Sequence, residues 1–228
     1  PWAFWKSDFQ EIGGHDPLYA PQSKEDSDIF NRFQLNGIKF VQTWHGCVYH
    51  MTCRGSRRNT VDKAKNIYED SPEWLAQNMR STRNFIRKWG HFVKHDNLMK
   101  PIIPPKYNIA FRIYNNNYKL LNLLEPWCNT MYSDLDYTPY IAKEQPNTLF
   151  NLKNKLNILH SELYDDFKGI VVIIDGNKIF TQQDFEIIQQ LPEIIKDNGE
   201  IGEFKLGNLQ ININSLEEHQ NKLIICKK

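Results

Sequence analysis

Between Gly169 and Asp175 the chain reads Ile-Val-Val-Ile-Ile, five apolar residues with no polar break and a turn signal at each end. A run this short and this rich in β-branched residues is a strand covered on both faces, the kind found in parallel sheets flanked by helices. Its neighbours extend the pattern. Asn108–Tyr114 and Asn129–Ser133 read as strands, with Tyr118–Glu125 between them as a helix. Thr181 offers a cap for a helix running to about Lys196, with Phe185, Ile188, Leu191 and Ile195 inward and Pro192 placed to kink or break it. Glu203–Leu206 and Leu209–Ile213 flank Gly207-Asn208, a two-residue turn of hairpin type. Helices alternating with strands predict an α/β fold.

Pro101, Pro104 and Pro105 interrupt regular structure and set off this part, residues 106–228, as a small α/β domain. A basic helical extension is expected over 59–105. Ser71-Pro72-Glu73 gives it an N-cap, a proline at the first helical position and an acid in the first turn. Leu75, Met79, Thr82, Ile86 and Trp89 form the stripe expected to pack inward, and Arg80, Arg83 and Arg87 form another. Residues 1–58 read as compact α/β. Trp2–Trp5 is a strand candidate, Lys6–Ile12 one or two helical turns, and Gly13-Gly14 a turn that wants positive φ. Ser23 with Asp26 three residues on is a capping-box arrangement. Ile29, Phe30 and Phe33 form the buried stripe of the helix that follows, Gly37 stops it, and Ile38–Trp44 alternates as a half-buried strand should.

The net charge of +1 hides an asymmetry. From Arg54 to Lys106 there are 12 basic and 5 acidic residues, a local net of +7. A basic block in a near-neutral chain is suited to phosphates, on a nucleotide sugar, a nucleic acid or a lipid head group, or is simply a solvated face. The 4 cysteines are too few for a disulfide scaffold and point to a reducing compartment, hence the cytoplasm. No apolar run approaches the length of a membrane span. The chain opens on Pro1-Trp-Ala-Phe-Trp5, which reads as the interior of a domain.

Chemistry concentrates at Glu25-Asp26-Ser27-Asp28, with Arg32 one turn beyond Asp28. Carboxylates at a helix N-terminus are stabilised by its dipole and free N–H groups. One of them can accept a proton from a hydroxyl, although acids there often serve the helix alone. The surroundings add weight. Gly13-Gly14-His15-Asp16, Glu25-Asp26-Ser27-Asp28-Ile29-Phe30-Asn31-Arg32, Gly37-Ile38-Lys39-Phe40-Val41 and Val48-Tyr49-His50 follow in one order at short spacing. That series resembles the second half of family 2 (GT-A type) glycosyltransferases over residues 1–58. It is similar in particular to glycosyltransferase-like proteins of large viruses and phages, through Arg54–Arg57 and Arg83–Gly90.

The resemblance implies a partial, Rossmann-like GT-A half performing inverting transfer of a sugar from a nucleotide sugar to a hydroxyl acceptor on a glycan or protein. Asp26 takes the place of the general base. Glu25 and Asp28 would bind acceptor hydroxyls or orient Asp26. Gly13 and Gly14 would let backbone approach the sugar, or form a plain tight turn. Trp44 would stack on a sugar ring, or sit buried at a strand end. His50 matches a position that contacts the metal or the donor diphosphate, and Arg54, Arg57 and Arg58 would close over the phosphates. A divalent metal, Mn or Mg, belongs to the complete enzyme. Its nucleotide-binding half and Asp-x-Asp motif are expected before Pro1, because Asp134-Leu-Asp136 has the letters but the wrong order.

Three other readings compete. His45, Cys47, His50 and Cys53 lie close enough for a zinc cluster, but strand alternation would point them to opposite sides. The +7 block would suit a nucleic-acid-binding module, for which no recognition motif is present. A structural or interaction protein derived from a transferase is the third.

Overall fold

The computed structural model describes residues 2–49, 70–159 and 167–219. The chain divides into two compact units, Pro1–Arg83 with Val93–Ile102 and Ile224–Lys228, and Asn84–Phe92 with Ile103–Leu223.

In the first unit α1 (Lys6–Glu11) leads through the Gly13-Gly14 turn and a 3-10 turn (Pro17–Tyr19) to α2 (Glu25–Leu35). Ile12, Ile29 and Phe33 form a small buried core, with Phe9, Phe30, Ile38 and Phe40 packed against it. Trp2 stacks on Phe4, which also leans on Phe33. Trp2–Trp5 and Ile38–Trp44, both expected as strands, are irregular. Alternation makes a strand only where a partner strand takes its hydrogen bonds, and among the described residues of this unit none does. The long helix α3 (Pro72–Trp89) begins as its sequence indicates, with Trp74 N–H donating to Ser71 Oγ at 3.2 Å. Its apolar stripe divides: Ile86 and Trp89 are buried, whereas Leu75 and Met79 are exposed.

The second unit holds a six-stranded sheet made of β1 (Ile109–Tyr114), β2 (Thr130–Ser133), β3 (Leu156–Ile158), β4 (Ile170–Asp175), β5 (Gly202–Leu206) and β6 (Leu209–Ile213). The strand order is β3-β2-β1-β4-β6-β5. The first four strands run parallel, while β6 is antiparallel to β4 and to β5. The connecting helices are α4 (Tyr118–Leu124), α5 (Thr138–Glu144), α6 (Leu152–Lys155) and α7 (Gln182–Asn198). The α/β class read from the sequence is therefore the fold observed.

Register explains where the core sits. Phe111 pairs with Val172 and Met131, and Val172 pairs with Ile211, so one face of the sheet carries apolar residues from strand to strand. Leu121 and Leu124 of α4, Leu152 of α6 and Ile188, Leu191 and Ile195 of α7 join them in one continuous core. Burying each such side chain contributes about 1.5–3 kcal/mol. On the opposite face Val171 is buried but Ile173 only half so, and the polar edge begins at Tyr114. The β4 run is thus central, as its composition requires. Helix α7 carries the capping box between Thr181 and Asp184 and continues through Pro192 instead of breaking there. The hairpin turn at Gly207 adopts φ 58°, and Asn208 N–H donates to Asp184 Oδ1 at 2.9 Å.

Candidate functional site

The ordered series from Gly13 to Arg32 is drawn together by one side chain. Arg32, buried on α2, donates from Nε to Asp28 Oδ2 at 2.8 Å, from Nη1 to the Ile12 carbonyl at 2.5 Å and from Nη2 to the Gly14 carbonyl at 2.7 Å. A planar guanidinium suits this because its donors leave in fixed, diverging directions. Gly13 and Gly14 lie at φ 80° and 75°, the left-handed region that glycine enters without penalty. Tyr19 Oη donates to Asp28 Oδ1 at 3.3 Å, and Asp16 caps the 3-10 turn by accepting from Leu18 N–H at 2.9 Å. The glycine turn, the tyrosine and α2 are therefore tied from beneath. Asp28, read as an acceptor contact or an orienting group, is fully buried and serves this tie.

Above the tie lies the N-terminus of α2. Ser23 and Lys24 both adopt left-handed backbone, φ 80° and 74°. Two successive non-glycine residues there carry strain of about 1–3 kcal/mol each. The expected capping box is absent, because Ser23 turns its hydroxyl to Asn78 Oδ1 at 2.7 Å. The loop is held by the first turns of α3. Gln77 Nε2 and Ser81 Oγ donate to the Gln22 carbonyl at 2.8 and 3.1 Å, and Arg80 Nη2 to the Ala20 carbonyl at 2.6 Å. Lys24 Nζ donates to Asn78 Oδ1 at 3.1 Å, and half-burial pushes its ammonium below the ordinary lysine range against the opposing Glu25 charge. Glu25 and Asp26 follow at once. Asp26 is exposed, and Glu25 is half-buried, with one carboxylate oxygen lacking a hydrogen-bond partner among the described residues. Gln77, Asn78 and Ser81 were not singled out as site residues in the sequence; their polar spacing on one side of α3 was the available signal.

Trp44 is 83% exposed and neither caps a strand nor enters the core. His50, Arg54, Arg57 and Arg58 lie outside the described residues. So do His50 and Cys53 of the zinc reading; Cys47 is exposed, its thiol donating to the Trp44 carbonyl at 3.0 Å. Among the described residues no group of three metal-ligating side chains converges.

The basic stripe of α3 does not act as one surface. Arg80 serves the loop, and Arg87 is buried in the second unit. Arg87 grips Glu125 through Nε at 3.0 Å and Nη2 at 2.6 Å, and Nη2 also reaches Glu144 at 2.5 Å. Lys155 Nζ reaches Glu125 Oε1 at 2.8 Å and Tyr140 Oη donates to Oε2 at 3.0 Å. Burial favours the neutral acid, but Lys155 and Arg87 outweigh it and hold Glu125 far below the usual carboxylate range. Nearby, Lys106 Nζ lies 3.4 Å from the Arg87 carbonyl, under the left-handed Gly90 that closes α3. Burial, reinforced by Lys155, lowers Lys106 to about 7, and burial pushes the Cys128 thiol up to about 12. This cluster binds the last turns of α3, from Asn84 on, to the end of α4 and to α5 and α6 within the second unit.

At the carboxyl ends of β1, β2 and β4, where α/β sheets usually form sites, the polar groups satisfy one another. Asp134 accepts from the backbone N–H groups of Asn115 and Asn116, each at 3.0 Å, and Asp136 from Thr138 N–H at 2.9 Å. Asp175 accepts from Asn177 N–H at 3.0 Å and Asn115 Nδ2 at 3.2 Å, which closes the Asp175-Gly176 turn. The letters Asp134-Leu-Asp136 thus serve a turn and a helix start. No family model, curated protein or solved structure matches the chain.

Proposed function

We propose that the first unit is the acceptor side of an inverting glycosyltransferase, with Asp26 as general base. The observation that supports this best is the Arg32 tie. It joins the Gly13-Gly14 turn, Asp28 and α2 into one body and leaves the Asp26 carboxylate exposed at a strained helix start. Backbone strain held at such a place is characteristic of functional sites, and a plain helix cap would not require it. Asp28 and Arg32 are positioning residues in this reading, and the α3 residues Gln77, Asn78 and Ser81 extend the support to the loop.

In the reaction the acceptor hydroxyl oxygen bonds to the anomeric carbon as the carbon–oxygen bond to the nucleoside diphosphate breaks. Asp26 takes the hydroxyl proton, a role that contributes roughly 10²–10⁴-fold. Glu25, next to Asp26 at the start of α2, orients the base or meets a second acceptor hydroxyl. By the same resemblance a divalent metal, Mn or Mg, would neutralise the leaving diphosphate, with His50 the residue to hold it and Arg54, Arg57 and Arg58 the residues to bind the phosphates. Attack opposite the leaving group inverts the anomeric centre. The test is to incubate the natural gene product that carries this chain with nucleotide sugars and glycan or peptide acceptors, and to read the product's anomeric configuration by proton NMR. Inverted product supports the reading; retained configuration, or no transfer from any donor, overturns it.

A further inference from the structure

Strand β5 forms one edge of the sheet, and among the described residues no strand pairs with its outer side. Edges of this kind are normally blunted by proline, a bulge, charged side chains or a covering element. This edge carries Gly202-Glu-Phe-Lys-Leu206, which has no proline and balances one acid against one base. Phe204 is 38% exposed although it lies on the face turned to α7. There it borders an apolar crevice of about 150 Å³ lined with Leu191, Ile195, Leu206 and Ile211. Glu203 and Lys205 are exposed on the other face.

We propose that two copies of this chain pair along β5, antiparallel and centred on Phe204, joining their sheets into one of twelve strands. The charges select the partner and the register. About Phe204, Glu203 of each copy stands opposite Lys205 of the other, so a two-fold axis satisfies both charges twice. An axis through Glu203 sets acid against acid, and one through Lys205 sets base against base. A slip by one residue also carries Phe204 to the wrong face. The same axis brings the two Phe204 rings together beside the two crevices, withdrawing from water apolar surface that one copy leaves open.

Sedimentation of the full chain over a concentration series tests this. Wild type is expected to dimerise. Lys205→Glu, a surface change whose folding is checked by circular dichroism, sets acid against acid twice and should weaken association by about tenfold or more. Glu203→Lys combined with Lys205→Glu exchanges the charges and should restore wild-type association. A monomeric wild type overturns the proposal, as it would if another segment of the chain covered the edge. A dimer indifferent to Lys205→Glu, or a double variant that stays weak, overturns it equally.

Discussion

Replacing Arg32 by Met keeps the length and apolar stem of the side chain but removes every donor it offers. The structure sets the size of the effect. The Arg32 and Asp28 side chains are 3% and 0% exposed, and the guanidinium serves the Asp28 carboxylate and two backbone carbonyls at 2.5–2.8 Å. Removing one partner of a buried ion pair costs about 3–5 kcal/mol, because the remaining charge stays out of water. Here Asp28 would lose the Arg32 charge and its 2.8 Å bond, while the Ile12 and Gly14 carbonyls lose a donor. Hydrogen exchange at the Ile29–Phe33 amides reads this directly, since opening of α2 requires the tie to break. At about 1.4 kcal/mol per decade, exchange should accelerate by roughly two to three and a half orders of magnitude. Asp28→Leu combined with Arg32→Met removes both charges and should recover much of that loss. Acceleration below about tenfold in the single variant would refute the view that Arg32 organises this unit.

Lys106 makes stability depend on pH. Its ordinary value of 10.5 falls to about 7 in the folded chain, so between these values the unfolded state holds one more proton and stability rises with pH. Urea midpoints should increase from pH 7 to pH 8.5, and Lys106→Met should flatten that rise; an unchanged slope would contradict the assignment. Cys128, buried and with its thiol pushed up to about 12, should resist alkylation at pH 8, whereas exposed Cys47 reacts. Mass spectrometry of a Cys53→Ser, Cys226→Ser background checks this, and comparable rates at the two thiols would count against a closed core.

The elements legible from the chain were those with local causes. The β4 run, the Thr181 cap and the Gly207-Asn208 hairpin each carry their own stop and start signals, and all three stand in the fold. What escaped depended on distant partners. Ser23 looked like a cap until Asn78, 55 residues on, claimed its hydroxyl. Arg87 looked like surface charge, yet its acids lie 38 and 57 residues further along the chain. Ile38–Trp44 alternates correctly and still forms no strand, because pattern supplies a face and not a partner. The short β3 with α5 and α6 gave no periodic signal long enough to read. At the site, Glu25 and Asp26 were visible from spacing, while the positive φ of Ser23 and Lys24 was not, since neither residue type announces it.

Asp26 carries the proposed glycosyl transfer. In the natural gene product, Asp26→Asn removes a proton acceptor but leaves the side-chain size unchanged, so glycosyl transfer should drop by at least about a hundredfold. Binding of the nucleotide sugar, measured by calorimetry on the same variant, should stay within about threefold of wild type, because the base acts on the acceptor. Turnover that survives the substitution would contradict the proposed role of Asp26 and the acceptor-side reading built on it.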